Sequence, residues 1–279
     1  MTRHIENVRA GPLTTVQDLG RFGHRSSGVS PSGAADLASM ALANALAGNP
    51  ASAAVLEATF GHLTLRARDA LTLAVTGAGC PGVRMDTPLA LAAGESVALG
   101  AAGTGVRAYV AVRGGIAVEP VLGSRSTDTL SGLGPAPLRD GDLVPIGDAE
   151  PVSDEPPPHH GPPGHWSGEL TLVRGPRDER LPEHAWASIR DRAWTVSPQS
   201  NRVAVRLSGP ALPISTDPLP PEPLVRGAVQ VPPDGQPIIF LADHPVTGGY
   251  PVIGVLTPAA CDAVAQCRPG TSVRLGAVS

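Results

Sequence analysis

Four short stretches of this chain concentrate polar side chains that folding alone does not require. Gln17-Asp18-Leu19-Gly20-Arg21 leads into Gly28-Val29-Ser30-Pro31-Ser32-Gly33-Ala34-Ala35-Asp36. Helix capping by Ser32 with ordinary turn chemistry accounts for the serine and the glycines. An anion site at the same helix start, helped by Arg21, also accounts for the charged residues, and both readings stand on sequence alone. Gly123-Ser124-Arg125-Ser126-Thr127-Asp128 packs hydroxyls, a guanidinium and a carboxylate into one turn. Arginine offers a bidentate fork to a carboxylate or phosphate, and a side-chain-stabilised turn is the plainer alternative. Gln199, Asn201 and Arg202, just before a strand carrying Arg206, form a hydrogen-bonding cluster suited to an amide or carboxylate. Last, Thr247-Gly248-Gly249-Tyr250-Pro251 lets backbone approach a ligand or another chain at the paired glycines.

What the chain lacks narrows the chemistry further. Lys and Arg together number 21, and every one is Arg. A phosphate-binding P-loop, a Schiff-base enzyme, a protein kinase, a Ser-Ser-Lys amidase and a biotin carrier each need a lysine amine, so this chain alone is none of them. A net charge of -4 and 3% aromatics leave no footprint for nucleic acid. No stretch approaches the roughly 20 apolar residues of a membrane span. Three cysteines, Cys80, Cys261 and Cys267, do not suggest a disulfide framework, and the expectation is a cytoplasmic protein in a reducing compartment. Gly77-Ala78-Gly79-Cys80-Pro81-Gly82 fits a dinucleotide fingerprint, but no helical periodicity follows it. His159, His160 and His165 sit in a proline-rich stretch without other ligands, so no metal site is expected.

These residues must be positioned by short elements. Gly (33) and Pro (31) recur without a collagen period, which reads as many tight turns between strands. Strands are expected at 54–60, 63–65, 70–76 and 106–112, and again at 170–174, 203–207, 228–231, 238–241 and 252–256. Helices are expected at 34–47, 182–191 and 258–266. A Gly-polar-polar-Val pattern recurs at 94–100, 141–147 and 270–276. The run Pro156-Pro157-Pro158 to Pro162-Pro163 favours an extended connector. The expected division is therefore a lobe at 1–150, a connector at 151–168 and a lobe at 169–279, each lobe a mainly-β barrel or sandwich.

The stretches Leu13-Thr14-Thr15-Val16-Gln17-Asp18-Leu19-Gly20-Arg21, 28–36, 123–128, 230–237 and 247–251, in this order, resemble the KipA-like family. That family is also known as the C component of ATP-dependent 5-oxoprolinase, as the A/B half of biotin-dependent carboxyltransferases, and as part of allophanate hydrolase. The resemblance implies two cyclophilin-like β-barrel lobes with a few short helices. It implies a KipI-like protein, the B component, as partner in a hetero-oligomer, with a separate A component. The implied reaction is hydrolysis of 5-oxo-L-proline to L-glutamate coupled to ATP, with or without magnesium. Biotin would ride on another chain if the protein served a carboxyltransferase, and a regulatory KipI antagonist without catalysis is the third reading. Within the first reading, Asp36, Arg125, Asp128 and Arg202 are the expected catalytic residues. Arg21, Ser32, Ser124, Thr127, Gln199, Asn201 and Thr247 are the expected binding residues. Arg125 or Arg202 would take the substrate carboxylate, Arg21 with the Ser32 loop a phosphate. The family pattern has Ser-Asp-Arg-Met-Gly where this chain has Ser200-Asn201-Arg202-Val203-Ala204, which removes an acid at position 201.

Overall fold

Short strands separated by glycine and proline turns dominate the computed structural model, which describes residues 3–149, 168–187, 189–215 and 217–278. The proline-rich connector and its three histidines lie outside the described residues. The described residues of 1–162, other than 22–31 and 129–131, form one compact unit. Those of 163–279, together with 22–31 and 129–131, form a second. The chain therefore does not divide at a single point: two excursions from the N-terminal half belong to the C-terminal unit.

The first unit contains β1 (Arg3–Arg9), β2 (Leu13–Gln17), α1 (Leu37–Ala47), β3 (Val55–Thr59), β4 (Thr64–Ala67), β5 (Leu71–Gly79), β6 (Pro88–Leu91), β7 (Ser96–Ala98), β8 (Thr104–Val112) and β9 (Leu143–Ile146). A four-stranded sheet, β7-β4-β1-β9, and a five-stranded sheet, β2-β3-β8-β5-β6, share one apolar core. Ile5, Leu65 and Val144 enter it from the first sheet, and Leu56, Leu73 and Val110 from the second. The five-stranded sheet is buried on both faces. Ala108, Val110 and Val112 of β8 point into that core, while Tyr109 and Ala111 pack with Met40 and Ala43 of α1. Double burial explains why β8 reads as a continuous apolar run and not as an alternation. After Gly79 the chain turns into β6, which pairs antiparallel with β5, so no helix opens behind the glycine-rich motif.

The second unit contains β10 (Glu169–Arg174), α2 (Glu183–Ala187), β11 (Trp194–Val196), β12 (Ala204–Ser208), β13 (Glu222–Pro223), β14 (Ala228–Gln230), β15 (Ile238–Phe240), β16 (Thr247–Gly248), β17 (Val252–Leu256), α3 (Pro258–Ala265) and β18 (Ser272–Val278). Seven strands close a barrel in the order β10-β17-β14-β15-β12-β11-β18, sealed by the parallel pair β10 and β18. Closure removes the exposed strand edges that would otherwise pair with other chains. Of the expected elements, the helix at 182–191 is split: α2 covers Glu183–Ala187, and Ile189–Asp191 form a 3-10 turn. The three Gly-polar-polar-Val segments all form strands, as β7, β9 and β18. The fold is mainly β with few, brief helices, as composition and resemblance both require. Its second unit is the closed barrel, and its first is a two-sheet sandwich.

Candidate functional site

Helix α1 begins later than the turn signals suggest. Its N-cap is Asp36, whose carboxylate accepts from Ser39 N at 2.9 Å and from Ser39 Oγ at 2.6 Å. Ser32 is therefore not the cap. It lies four residues upstream at a φ of 55°, and its Oγ donates to Thr127 O at 3.2 Å. Gly33 follows at a φ of 102°, where an added Cβ would stand 2.9 Å from Leu19 O. Only glycine fits so close a backbone approach. These contacts bring the 32–36 loop against the end of β2 and the 123–128 turn, three stretches far apart in sequence.

Asp18 organises that meeting. It is 8% exposed, and its Oδ1 accepts from Gly20 N at 2.8 Å, Ser124 Oγ at 2.6 Å and Ser126 Oγ at 2.5 Å. Its Oδ2 accepts from Arg125 N at 2.6 Å. A carboxylate with this many donors is held rigidly in place. Gln17 Nε2 donates to Thr127 O at 3.0 Å, and Thr127 Oγ1 donates to Pro135 O at 2.9 Å. Arg21 is 1% exposed; its guanidinium donates to Ser126 O and, at 3.5 Å, to Val121 O. Arg21 thus braces the turn from within, while its Nη1 is buried without a hydrogen-bond partner among the described residues.

Arg125 is different. Its backbone N is anchored on Asp18 and its Nε donates to Val118 O at 2.7 Å. The side chain is partly exposed, and its two terminal nitrogens have no partner among the described residues. The result is a guanidinium fork held at its base and open at its tip, the arrangement that receives a carboxylate or phosphate in two parallel hydrogen bonds. Asp128 is 1% exposed and its backbone N donates to Leu133 O at 2.9 Å.

The remaining expected residues lie in the second unit. Arg202, 2% exposed, is bonded twice to Asp243: Nε to Oδ2 and Nη2 to Oδ1 are both 3.0 Å. Asp243 also accepts from Thr129 N at 2.9 Å and Thr129 Oγ1 at 2.6 Å. The carboxylate that Arg202 meets is therefore this chain's own. Asn201 is exposed, and its Oδ1 accepts from Val203 N at 2.8 Å and Ala204 N at 3.2 Å. An amide oxygen serves this turn as well as a carboxylate oxygen would, so the lost acid leaves the hairpin intact. Gln199 is exposed, with its backbone N bonded to Ser197 Oγ. Thr247 is exposed on β16, opposite Pro223 of β13.

A polar row across the five-stranded sheet escaped the sequence reading. Thr15, Glu57, Tyr109 and Thr76 sit opposite one another on β2, β3, β8 and β5, all buried. Tyr109 Oη donates to Glu57 Oε2 at 2.9 Å and accepts from Asp36 N at 2.8 Å, while Ala35 N donates to Glu57 Oε2 at 3.0 Å. Burial first, and then the charges of Glu57 and Asp36, hold the Tyr109 phenol well above its usual pKa, so it remains a neutral donor. Arg107 supplies the opposing charge, 3.5 Å from Glu57. The signal available in sequence was a lone Glu and a lone Arg inside apolar strands, which must pair when buried.

Among the described residues, no three His, Cys, Asp or Glu side chains come together in a way that could hold a metal ion. No helix among them is long and apolar enough to cross a membrane.

The fold and the site together define a two-unit β protein in which a partly exposed arginine, Arg125, is anchored at its backbone and at Nε. The chain belongs to the family described as carboxyltransferase domain, subdomain A and B, whose pattern it matches over residues 27–277. It is 38% identical to the C component of 5-oxoprolinase from Escherichia coli K12, over 96% of this chain and 89% of that protein. Among solved structures, TTHA0988 superimposes with a TM-score of 0.85 at 32% identity, covering 100% of this chain and 56% of that one. The K. lactis urea amidolyase gives a TM-score of 0.90 at 26% identity, covering 99% of this chain and 19% of that one. The chain thus spans little more than half of TTHA0988 and a fifth of the amidolyase.

Proposed function

We propose that this chain is the C component of an ATP-dependent 5-oxoprolinase, acting with a KipI-like B component and an A component to hydrolyse 5-oxo-L-proline to L-glutamate. The observation that carries the chemistry is the open fork of Arg125, anchored at its backbone by Asp18 and at Nε by Val118 O. 5-Oxoproline carries one carboxylate, and a fixed fork would hold it while the ring amide is exposed to attack. Position, more than acid-base chemistry, is what this chain supplies: a substrate held in a reactive geometry reacts faster because its rotational freedom is already restricted. Asp18, Ser124, Ser126 and Arg21 keep the turn from yielding under the ligand's pull. Ser32 and Gln17 fix Thr127 O from the other side.

ATP supplies the activation that makes a lactam nitrogen a workable leaving group. Arg21 is buried and donates to Ser126 O, and Ser32 Oγ donates to Thr127 O, so both already hold carbonyls of the 123–128 turn. In this reading the nucleotide, and any magnesium, are held by the companion proteins, and this chain contributes the carboxylate grip.

The test is reconstitution. Combining the chain with its KipI-like and A-type partners should release glutamate from 5-oxoproline only when ATP and all three proteins are present. Full activity from the partners without this chain would refute the assignment. The likeness to urea amidolyase supports a second reading, a carboxyltransferase component served by biotin on another chain. Loss of activity on adding avidin would select it. The regulatory reading, tight binding of a KipI-like partner without turnover, is selected if every mixture is inactive and the pair still associates.

A further inference from the structure

A second polar cluster, unrelated to Arg125, lies in the first unit. The connection between β3 and β4 runs through Phe60, Gly61 and His62 at φ values of 60°, 72° and 60°. Side chains other than glycine seldom adopt this left-handed backbone, and consecutive residues do so more rarely still. The turn is held there by its surroundings: Phe60 N donates to Val106 O at 2.7 Å, His62 N to Gly100 O at 3.2 Å, and Ala102 N to Phe60 O at 3.0 Å. Gly11, at a φ of 69°, lies so close that an added Cβ would stand 2.4 Å from Gly61 O. Strain maintained by this much support is characteristic of places where a side chain must be presented in one direction.

His62 is presented to an open cavity of about 350 Å³, lined by Arg9, Gly11, Pro12, His62 and Asp140. This volume is within the range that takes small molecules. Asp140 is fixed at the rim because its Oδ1 accepts from Ala10 N at 2.8 Å. Its Oδ2, the Arg9 guanidinium and the His62 ring have no partner among the described residues. Arg9 and Asp140 therefore carry opposite charges around one cavity without pairing across it. A simple anion would satisfy Arg9 and His62 but meet repulsion from Asp140. A molecule with both a carboxylate and an ammonium group would satisfy all three.

We propose that this cavity binds a small α-amino acid, with its carboxylate on Arg9 and His62 and its ammonium on Asp140. The inference does not depend on the 5-oxoprolinase reading, because binding is measured on the purified chain without partners or turnover. The experiment titrates L-glutamate, glycine, acetate and inorganic phosphate into the chain, following the His62 ring and Gly11 amide signals by NMR. Both amino acids should give saturable shifts, and acetate and phosphate should bind at least tenfold more weakly. Asp140→Asn keeps the oxygen that accepts from Ala10 N but removes the charge. It should weaken amino-acid binding at least tenfold, roughly the loss of one charged hydrogen bond, and leave phosphate binding unchanged or stronger. Arg9→Gln should weaken both. His62→Asn, which tolerates the left-handed backbone, controls for turn geometry and should retain the fold with reduced affinity. No saturable shift with glutamate or glycine at up to about 50 times the roughly 1 mM that weak ligands need would overturn the proposal. So would equal binding of acetate and glycine that ignores Asp140→Asn.

Discussion

Two arginines expected from sequence to meet a substrate carboxylate have opposite surroundings, and that contrast yields a sharp test. Arg125 has two terminal nitrogens without a partner among the described residues, whereas Arg202 is bonded twice to Asp243 at 3.0 Å. Arg125→Ala removes a charge-assisted contact worth about 1.5–3 kcal/mol to a bound carboxylate. At about 1.4 kcal/mol per factor of ten, kcat/KM should fall ~10- to 150-fold in the reconstituted complex. The melting temperature should barely move, because only the Nε bond to Val118 O is lost from the fold. Arg202→Ala takes the guanidinium from a buried carboxylate that also accepts from Thr129 N and Oγ1. Breaking one side of such a pair costs about 3–5 kcal/mol, which lowers the melting temperature by roughly 10 °C or more. Glutamate release from 5-oxoproline, measured beside thermal unfolding of the purified chain, reads both effects. Unchanged turnover in folded Arg125→Ala would remove the carboxylate grip from this residue. A stable but inactive Arg202→Ala would reverse the two roles.

Asp18→Asn should mislocate the 123–128 turn, because an amide nitrogen cannot accept the bonds now made by the carboxylate. A loss of about 2–3 kcal/mol in chemical denaturation is expected, with activity falling alongside. Gly33→Ala should destabilise the chain by ~1–3 kcal/mol, since a φ of 102° and a Cβ at 2.9 Å from Leu19 O both oppose it. Burial pushes the Cys261 thiol up to about 11 and the Cys267 thiol up to about 12. The unfolded thiols, near 9.0, lose their protons first as pH rises. Their stabilising contribution is whole below pH 9, and stability should fall by about 1.4 kcal/mol per pH unit for each thiol above it. Tyr109 and Cys80 are raised in the same window but are common to both proteins, so the difference between unfolding curves from about pH 8 to 11 on the chain and on a Cys261→Ala, Cys267→Ala variant isolates the effect. An identical slope in the two proteins would refute it. In the native state, all three buried cysteines should also react with a thiol reagent far more slowly than in denaturant.

Local pattern was enough to read many of the strands, because alternation, β-branched runs and turn glycines are set by neighbours in sequence, but β1, β2, β6 and β11, which carry more polar residues or are very short, went unread. Even β14 and β15, joined through Pro-Asp-Gly, follow from turn chemistry alone. The absence of lysine, and the reactions it removes, is likewise a property of the chain itself. Helix α1 was legible at its C-terminal end, where Gly48 closes it at a φ of 73°. It was misread at its start, since Ser32 and Asp36 are both good caps and only backbone geometry distinguishes them. Arg125 and Arg202 are equivalent guanidiniums on paper. What separates them is a partner 41 residues away, Asp243, together with an anchor 107 residues away, Asp18. The same holds for Glu57 and Tyr109, whose row exists only because β2, β3, β8 and β5 lie side by side. Residue types decide which bonds are available; which of them are already satisfied is decided by strand pairing and loop contact over long separations. An arginine becomes a ligand site only where the folded chain has left its charge unclaimed.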